Sequence, residues 1–206
     1  MFDGKPIIGI IGGVGSGKSY VANLFGQFGC LVINSDDQVS LVYQLPEVQT
    51  TLRSWWGPAA FLPNGQINHP GIAAIVFNDP GQLRRLEALL HPLVGQLRDQ
   101  TMAAHVHDVN IAAFIWDTPL LVEVGLARQC DAIVFVDTPA EERLRRVQVS
   151  RGWTVAQWIA REKSQLPLDN KRKIAKNTIC NTADADEDVR RQVREVLSSI
   201  LAEVRR

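Results

Sequence analysis

Apolar positions recur along the 206-residue chain in two alternating rhythms. Pro6 to Ile11 is a short β-branched run and predicts a buried strand. Tyr20 to Phe28 then sets Val21, Leu24, Phe25 and Phe28 at helical spacing, and Gly29 ends that helix. Cys30 to Ile33 predicts a second strand. A third, over Asn110 to Asp117, is apolar until its final acid; a fourth spans Asp131 to Asp137, and a short fifth covers Thr178 to Cys180. Thr138 and Pro139 start a helix reaching about Gln148. Asp188 to Arg205 predicts a terminal helix with Val189, Val193, Val196, Leu197, Ile200 and Leu201 on one side. Strands alternating with helices imply an α/β fold, a parallel sheet with helices on both faces and right-handed crossovers.

Between the second and third strands, about residues 38 to 104 form a helical excursion. Gln38 to Tyr43 fits a short helix. Leu45 to Pro70 is expected to be irregular, because Pro46, Gly57, Pro58, Pro63, Asn64, Gly65 and Pro70 interrupt any long element. Trp55, Trp56 and Phe61 should cover apolar surface there. Helices resume from Gly71 to Gln100. Pro80 falls in a first turn behind the cap Asp79, and Leu83, Leu86, Leu90, Leu93, Val94 and Leu97 mark one apolar face.

Composition narrows the class. Hydrophobic content of 46% and charged content of 21% are ordinary for a globular protein. The formal net charge of +0 leaves no global field to recruit nucleic acid or a membrane. No apolar run approaches the ~18 residues of a membrane span, and the first residues lack the apolar core of a signal peptide. Cys30, Cys130 and Cys180 are scattered, which predicts a reduced cytoplasm, no disulfide frame and no zinc site.

Gly12 to Ser19 reads Gly-Gly-Val-Gly-Ser-Gly-Lys-Ser and matches the phosphate-loop pattern Gly-x-x-x-x-Gly-Lys-Ser/Thr, between a predicted strand and a predicted helix. Backbone N–H groups must approach a phosphate closely, hence Gly13, Gly15 and Gly17. The start of the helix turns unpaired N–H groups and its positive dipole end toward the anion. Lys18 adds a mobile charge for the terminal phosphate, and Ser19 offers a hydroxyl to Mg²⁺. The expected ATP site is therefore Gly13, Val14, Gly15, Ser16, Gly17, Lys18, Ser19 and Tyr20. An excursion of about residues 38 to 104 beside such a site usually carries the second substrate.

Acids gather at the carboxyl ends of the strands, where open parallel sheets bind ligands. Asn34, Ser35, Asp36 and Asp37 follow the second strand; Asp36 is the preferred chemical residue, with helix capping the competing role. Asp117 and Glu123 follow the third. Between Glu141 and Lys176 there are ten basic residues against four acids. Most belong to solvated helices, but Arg143, Arg146 and Arg151 are expected to reach nucleotide phosphates, with Arg151-Gly152 as a hinge. Without interleaved aromatics, the patch does not suit nucleic acid.

From about Ile7 to Asn181 the chain resembles the dephospho-coenzyme A kinases. The carriers are the phosphate loop, Val32 to Asp36, Asn64-Gly65, Ile75 to Phe77, Leu86 to Pro92 with its Leu-Glu-x-x-x-His-Pro, and Asp117 to Glu123 with its Pro-Leu-Leu-x-Glu. Arg143-Leu144, Arg151, Gln165 and Ile179 to Asn181 complete them. The resemblance implies ATP-dependent phosphorylation of the ribose 3′-hydroxyl of dephospho-coenzyme A by a P-loop kinase. It implies a core at about 1–37, 108–142 and 174–206, an acceptor-binding helical insertion at about 38–107 and a lid at about 143–173. Asp36 then matches the general base, and Lys18 serves the transferred phosphate. His91, Pro119, Leu120 and Glu123 fall on the acceptor side. His91 has a helix-interior structural role as its alternative, and Glu123 has the orientation of basic side chains. The chain departs from the family at Asn34, usually an acid, at Ser40 and His69, usually arginines, and at Tyr20, usually threonine. Another small-molecule or nucleoside monophosphate kinase, and a non-catalytic nucleotide-binding protein, remain alternatives. A monomer or weak homo-oligomer is expected.

Overall fold

The computed structural model describes residues 1–182 and 186–204. Its strands are β1 (Ile7–Gly12), β2 (Cys30–Asn34), β3 (Ala113–Asp117), β4 (Ala132–Asp137) and β5 (Asn177–Cys180). They pair in parallel in the order β2-β3-β1-β4-β5. The helices are α1 (Lys18–Gln27), α2 (Ser35–Val42), α3 (Pro46–Trp56), α4 (His69–Asn78), α5 (Pro80–His105), α6 (Ala140–Arg151), α7 (Val155–Lys163), α8 (Leu168–Ile174) and α9 (Asp186–Val204). The expected end of the last helix at Arg205 lies outside the described residues.

Two compact units result, one of residues 1–34 and 104–206, the other of residues 35–103. The first holds the sheet. Every residue of β1 and β3 is buried, as in a parallel sheet covered on both faces. Ile8, Ile10, Ile115, Val134 and Val136 share one sheet face. They pack with Val21, Leu24 and Phe25 of α1 and with Val189, Val193, Leu197 and Ile200 of α9. Each such side chain contributes about 1.5–3 kcal/mol when fully buried, so this layer fixes where α1 begins relative to β1. The third strand starts at Ala113 rather than Asn110. The Asp108 carboxylate accepts the Asn110 N–H at 2.9 Å and its carbonyl accepts the Ile111 N–H at 3.1 Å, which curls those residues into a turn.

The second unit has its own core, in which Val48, Leu52, Phe61, Ile72, Leu86 and Leu90 are buried. The expectation of irregular chain over Leu45 to Pro70 holds over 61–68 and is corrected over Pro46–Trp56, which form α3, and at His69 and Pro70, which begin α4. Pro46 occupies the first turn of α3, where its missing N–H costs nothing, and Gly57 caps the far end. The breakers mark the helix ends, not the absence of a helix. Further on, the Asn68 side chain accepts the Gly71 N–H at 3.0 Å and caps α4, so His69 and Pro70 lie inside it. Asp79 caps α5 as predicted, its Oδ1 accepting the Gly81 N–H at 2.7 Å. Leu83 leaves the apolar face, being exposed.

Candidate active site

The glycine loop runs from the end of β1 into α1, and neighbours hold it from outside. Gly15 and Gly17 have φ of 83° and 84°, the left-handed region that glycine enters without penalty. A Cβ at Gly15 would stand 2.5 Å from the Arg143 carbonyl oxygen, and one at Gly17 2.4 Å from Asn181 Nδ2. The glycines thus serve close packing behind the loop. The Ser16 carbonyl receives Asn181 Nδ2 at 2.8 Å and Arg146 Nη1 at 3.2 Å, with Thr138 Oγ1 at 3.0 Å. The leading N–H groups of α1 have no helical partner by construction, which leaves them for an anion.

Lys18 folds back on the loop, its Nζ donating to the Gly13 carbonyl at 2.9 Å and the Gly12 carbonyl at 3.3 Å. Burial pushes its ammonium down to about 8. Lys171 and Arg151 push the same way, while Asp117 and Glu162 oppose them. Asp117, 4% exposed, ends β3 opposite Asn34 in register, and its Oδ2 accepts from Asn34 Nδ2 at 2.9 Å. Glu123 Oε1 lies 2.8 Å from Lys171 Nζ and accepts the Leu166 N–H at 2.9 Å. Burial raises the Glu123 carboxyl, but the bonds from Lys171 and Leu166 outweigh it and hold the group below the usual carboxylate range. Its contacts are those of a residue that orients a basic side chain.

The three arginines divide. Arg143, 4% exposed, lies against the loop, donating to the Thr138 carbonyl at 3.2 Å and pairing with Glu162 at 2.8 Å. Arg146 reaches the Asn181 carbonyl at 3.1 Å and pairs with Glu142 at 2.5 Å. Arg151 is exposed beside the Trp153 ring, 4.8 Å from its centroid, and Gly152 turns the chain after α6 with φ 65°. A cavity of about 310 Å³ opens next to the loop, lined by Gly17, Tyr20, Arg146, Asn181 and Asp186. The Tyr20 hydroxyl donates to Asp186 across it. Ser19 is exposed in the first turn of α1, and Pro119 and Leu120 are exposed beyond β3. Asp36 and His91 belong to the second unit, Asp36 exposed in the first turn of α2 and His91 exposed on α5.

Glu162, Lys171 and Asn181 were missed as site residues because their roles depend on distant partners. One local signal was legible. Thr154 and Gln157 form a reciprocal capping box that fixes the start of α7, and with it the face on which Glu162 lies.

A parallel sheet of order 2-3-1-4-5 with a glycine loop feeding a helix, a half-buried loop lysine and arginines from a later helix define a P-loop kinase. The profile of the dephospho-CoA kinase family matches residues 6–187, and the chain belongs to that family. It is 33% identical over 193 residues to a dephospho-CoA kinase of Thermobifida fusca, covering 92% of this chain and 93% of that one. A dephospho-CoA kinase of Deinococcus radiodurans is 35% identical over 175 residues, 85% and 83% of the two chains. The crystal structure of TT1252 from Thermus thermophilus has a TM-score of 0.81 at 31% identity and covers 97% of each chain.

Proposed function

We infer that this protein transfers the γ-phosphoryl group of ATP to the 3′-hydroxyl of dephospho-coenzyme A, giving coenzyme A and ADP in the last step of coenzyme A synthesis. The observation that carries the reading is the phosphate loop with Lys18 folded back on it, in a chain that belongs to the dephospho-CoA kinase family. The loop N–H groups from Gly13 to Ser19 hold the donor phosphates, and the cavity bounded by Tyr20, Arg146 and Asn181 suits the adenosine end. Arg151 supplies charge from the far end of α6.

Asp36 accepts the proton of the 3′-hydroxyl as its oxygen forms the new bond to the γ-phosphorus and the bond to ADP breaks. Its position supports this role, two residues past the end of β2 and hence at the carboxyl edge of the sheet. His91, Pro119 and Leu120 are assigned to recognition of the acceptor. Glu123 acts through Lys171. Lys18 neutralises charge that builds on the transferred group.

Mg²⁺ fits the donors present. Among the described residues no cluster of three or more His, Cys, Asp or Glu would hold a metal alone. Mg²⁺ needs only one or two protein oxygens when phosphates and water complete its shell. The Ser19 hydroxyl would hold it, with the Asp117 carboxylate available through water, and the ion would screen charge between the phosphates. Among the described residues no helix is long and apolar enough to cross a membrane. The scattered spacing of Cys30, Cys130 and Cys180 favours the reducing cytoplasm.

The test is ADP release with Mg-ATP against dephospho-coenzyme A, CMP, UMP, AMP and gluconate. Dephospho-coenzyme A should be strongly preferred, and Asp36→Asn should lower kcat by ~10²–10⁴-fold. Preference for another acceptor, or unchanged turnover in Asp36→Asn, refutes the substrate or the base.

A further inference from the structure

α7 is fastened to the phosphate loop at a single residue. Trp158 Nε1 donates to the Val14 carbonyl at 3.3 Å. One turn later, Glu162 Oε1 accepts the Val14 N–H at 2.6 Å. A spacing of four puts the two side chains on one helix face. The other carboxylate oxygen, Oε2, lies 2.8 Å from Arg143 Nη1. Arg143 itself donates to the Val14 carbonyl at 3.4 Å. A carboxylate therefore stands where a phosphate loop and an arginine would receive an anion. It is also one of the charges that oppose the lowering of the Lys18 pKa.

Beyond Val14, Arg143 holds the same helix face, 2.8 Å from Glu162 and 5.2 Å from the Trp158 ring centroid. α7 buries none of its residues, and the exposed Gly152 separates it from α6. The Val14 and Arg143 contacts are thus a large part of what keeps it against the loop.

We propose that Glu162 is a latch: its carboxylate occupies the Val14 N–H and Arg143 in place of a nucleotide phosphate, and the incoming nucleotide releases it and α7 together. This rests on the reading that the loop binds ATP. The physical cause is competition between two anions for the same donors. A phosphate brought next to the carboxylate without displacing it would meet like-charge repulsion, and one that displaces it gains the charge-assisted bonds the carboxylate gives up.

The experiment compares the full chain with Glu162→Gln and Trp158→Phe, titrated with Mg-ATP by calorimetry and tryptophan emission. Glutamine keeps the shape and an acceptor oxygen but removes the competing charge. Glu162→Gln should bind Mg-ATP about tenfold more tightly, the size of one charge-assisted bond. Mg-ATP should shift the emission of the wild type as the Trp158 indole leaves Val14, and Trp158→Phe should lose that component. Equal or weaker binding by Glu162→Gln overturns the latch and makes Glu162 a support for Arg143. So does an emission change retained in full by Trp158→Phe. Absence of binding by all three proteins overturns the latch and the nucleotide reading together.

Discussion

Replacing Glu123 with glutamine strands a buried ammonium. Lys171 is 1% exposed, and its Nζ lies 2.8 Å from Glu123 Oε1 and 2.8 Å from Gln165 Oε1. Removing one partner of a buried ion pair costs about 3–5 kcal/mol, because the surviving charge keeps its desolvation penalty and loses its counter-charge. Two features place Glu123→Gln at or just below the bottom of that range. The Glu123 side chain is 19% exposed, and the glutamine oxygen still accepts from Lys171 and from the Leu166 N–H. The loss should be about 2–3 kcal/mol, which at ~2–4 °C per kcal/mol for a domain of this size lowers Tm by about 4–12 °C.

Thermal unfolding by circular dichroism measures this directly. The pH dependence adds a sign. Because the folded carboxyl titrates below its ordinary value, its stabilisation is present above that ordinary value and disappears as pH falls through the lowered one. The gap between wild type and Glu123→Gln should therefore close in acid. Glu123→Gln with Lys171→Met should regain most of the loss, since neither charge remains buried. A Tm for Glu123→Gln within about 1 °C of the wild type, or a double variant less stable than either single one, refutes the reasoning.

Three further outcomes follow from the loop. Burial lowers the Lys18 ammonium to about 8, and a bound phosphate must raise it. ATP affinity should then be flat below about pH 7 and fall by up to tenfold per unit above about pH 8, with proton uptake on binding in calorimetry; affinity that stays level to pH 9.5 contradicts this. By the same shift, native Lys18 releases its proton before the unfolded chain does, so its burial costs stability at neutral pH that is recovered as pH rises from about 8 toward 10.5. Gly17→Ala should lower stability by about 2 kcal/mol, because φ is 84° and the new Cβ would meet Asn181 Nδ2 at 2.4 Å. It should also weaken ATP binding by displacing the Asn181 bond to Ser16, and unchanged values of both would show that the loop tolerates a side chain there.

Local order along the chain determined much of this protein. The phosphate loop was legible because its glycines, Lys18 and Ser19 are consecutive, and the strands and α1 because hydrophobic periodicity acts over a few residues. Capping was legible at Asp79. α3 was missed because Pro46 and Gly57 have opposite meanings inside a helix and at its ends, and only the packing of Val48 and Leu52 decides between them. Charged residues were the hardest. Arg143 reads as a phosphate ligand and Lys171 as a solvated helix position, yet the fold buries both, against Glu162 and Glu123 respectively. Val14 and Glu162 are 148 positions apart, so no pattern in either neighbourhood specifies their bond. A carboxylate's partner is fixed by which elements pack together, a property of the tertiary structure, whereas a glycine loop carries its geometry within its own backbone.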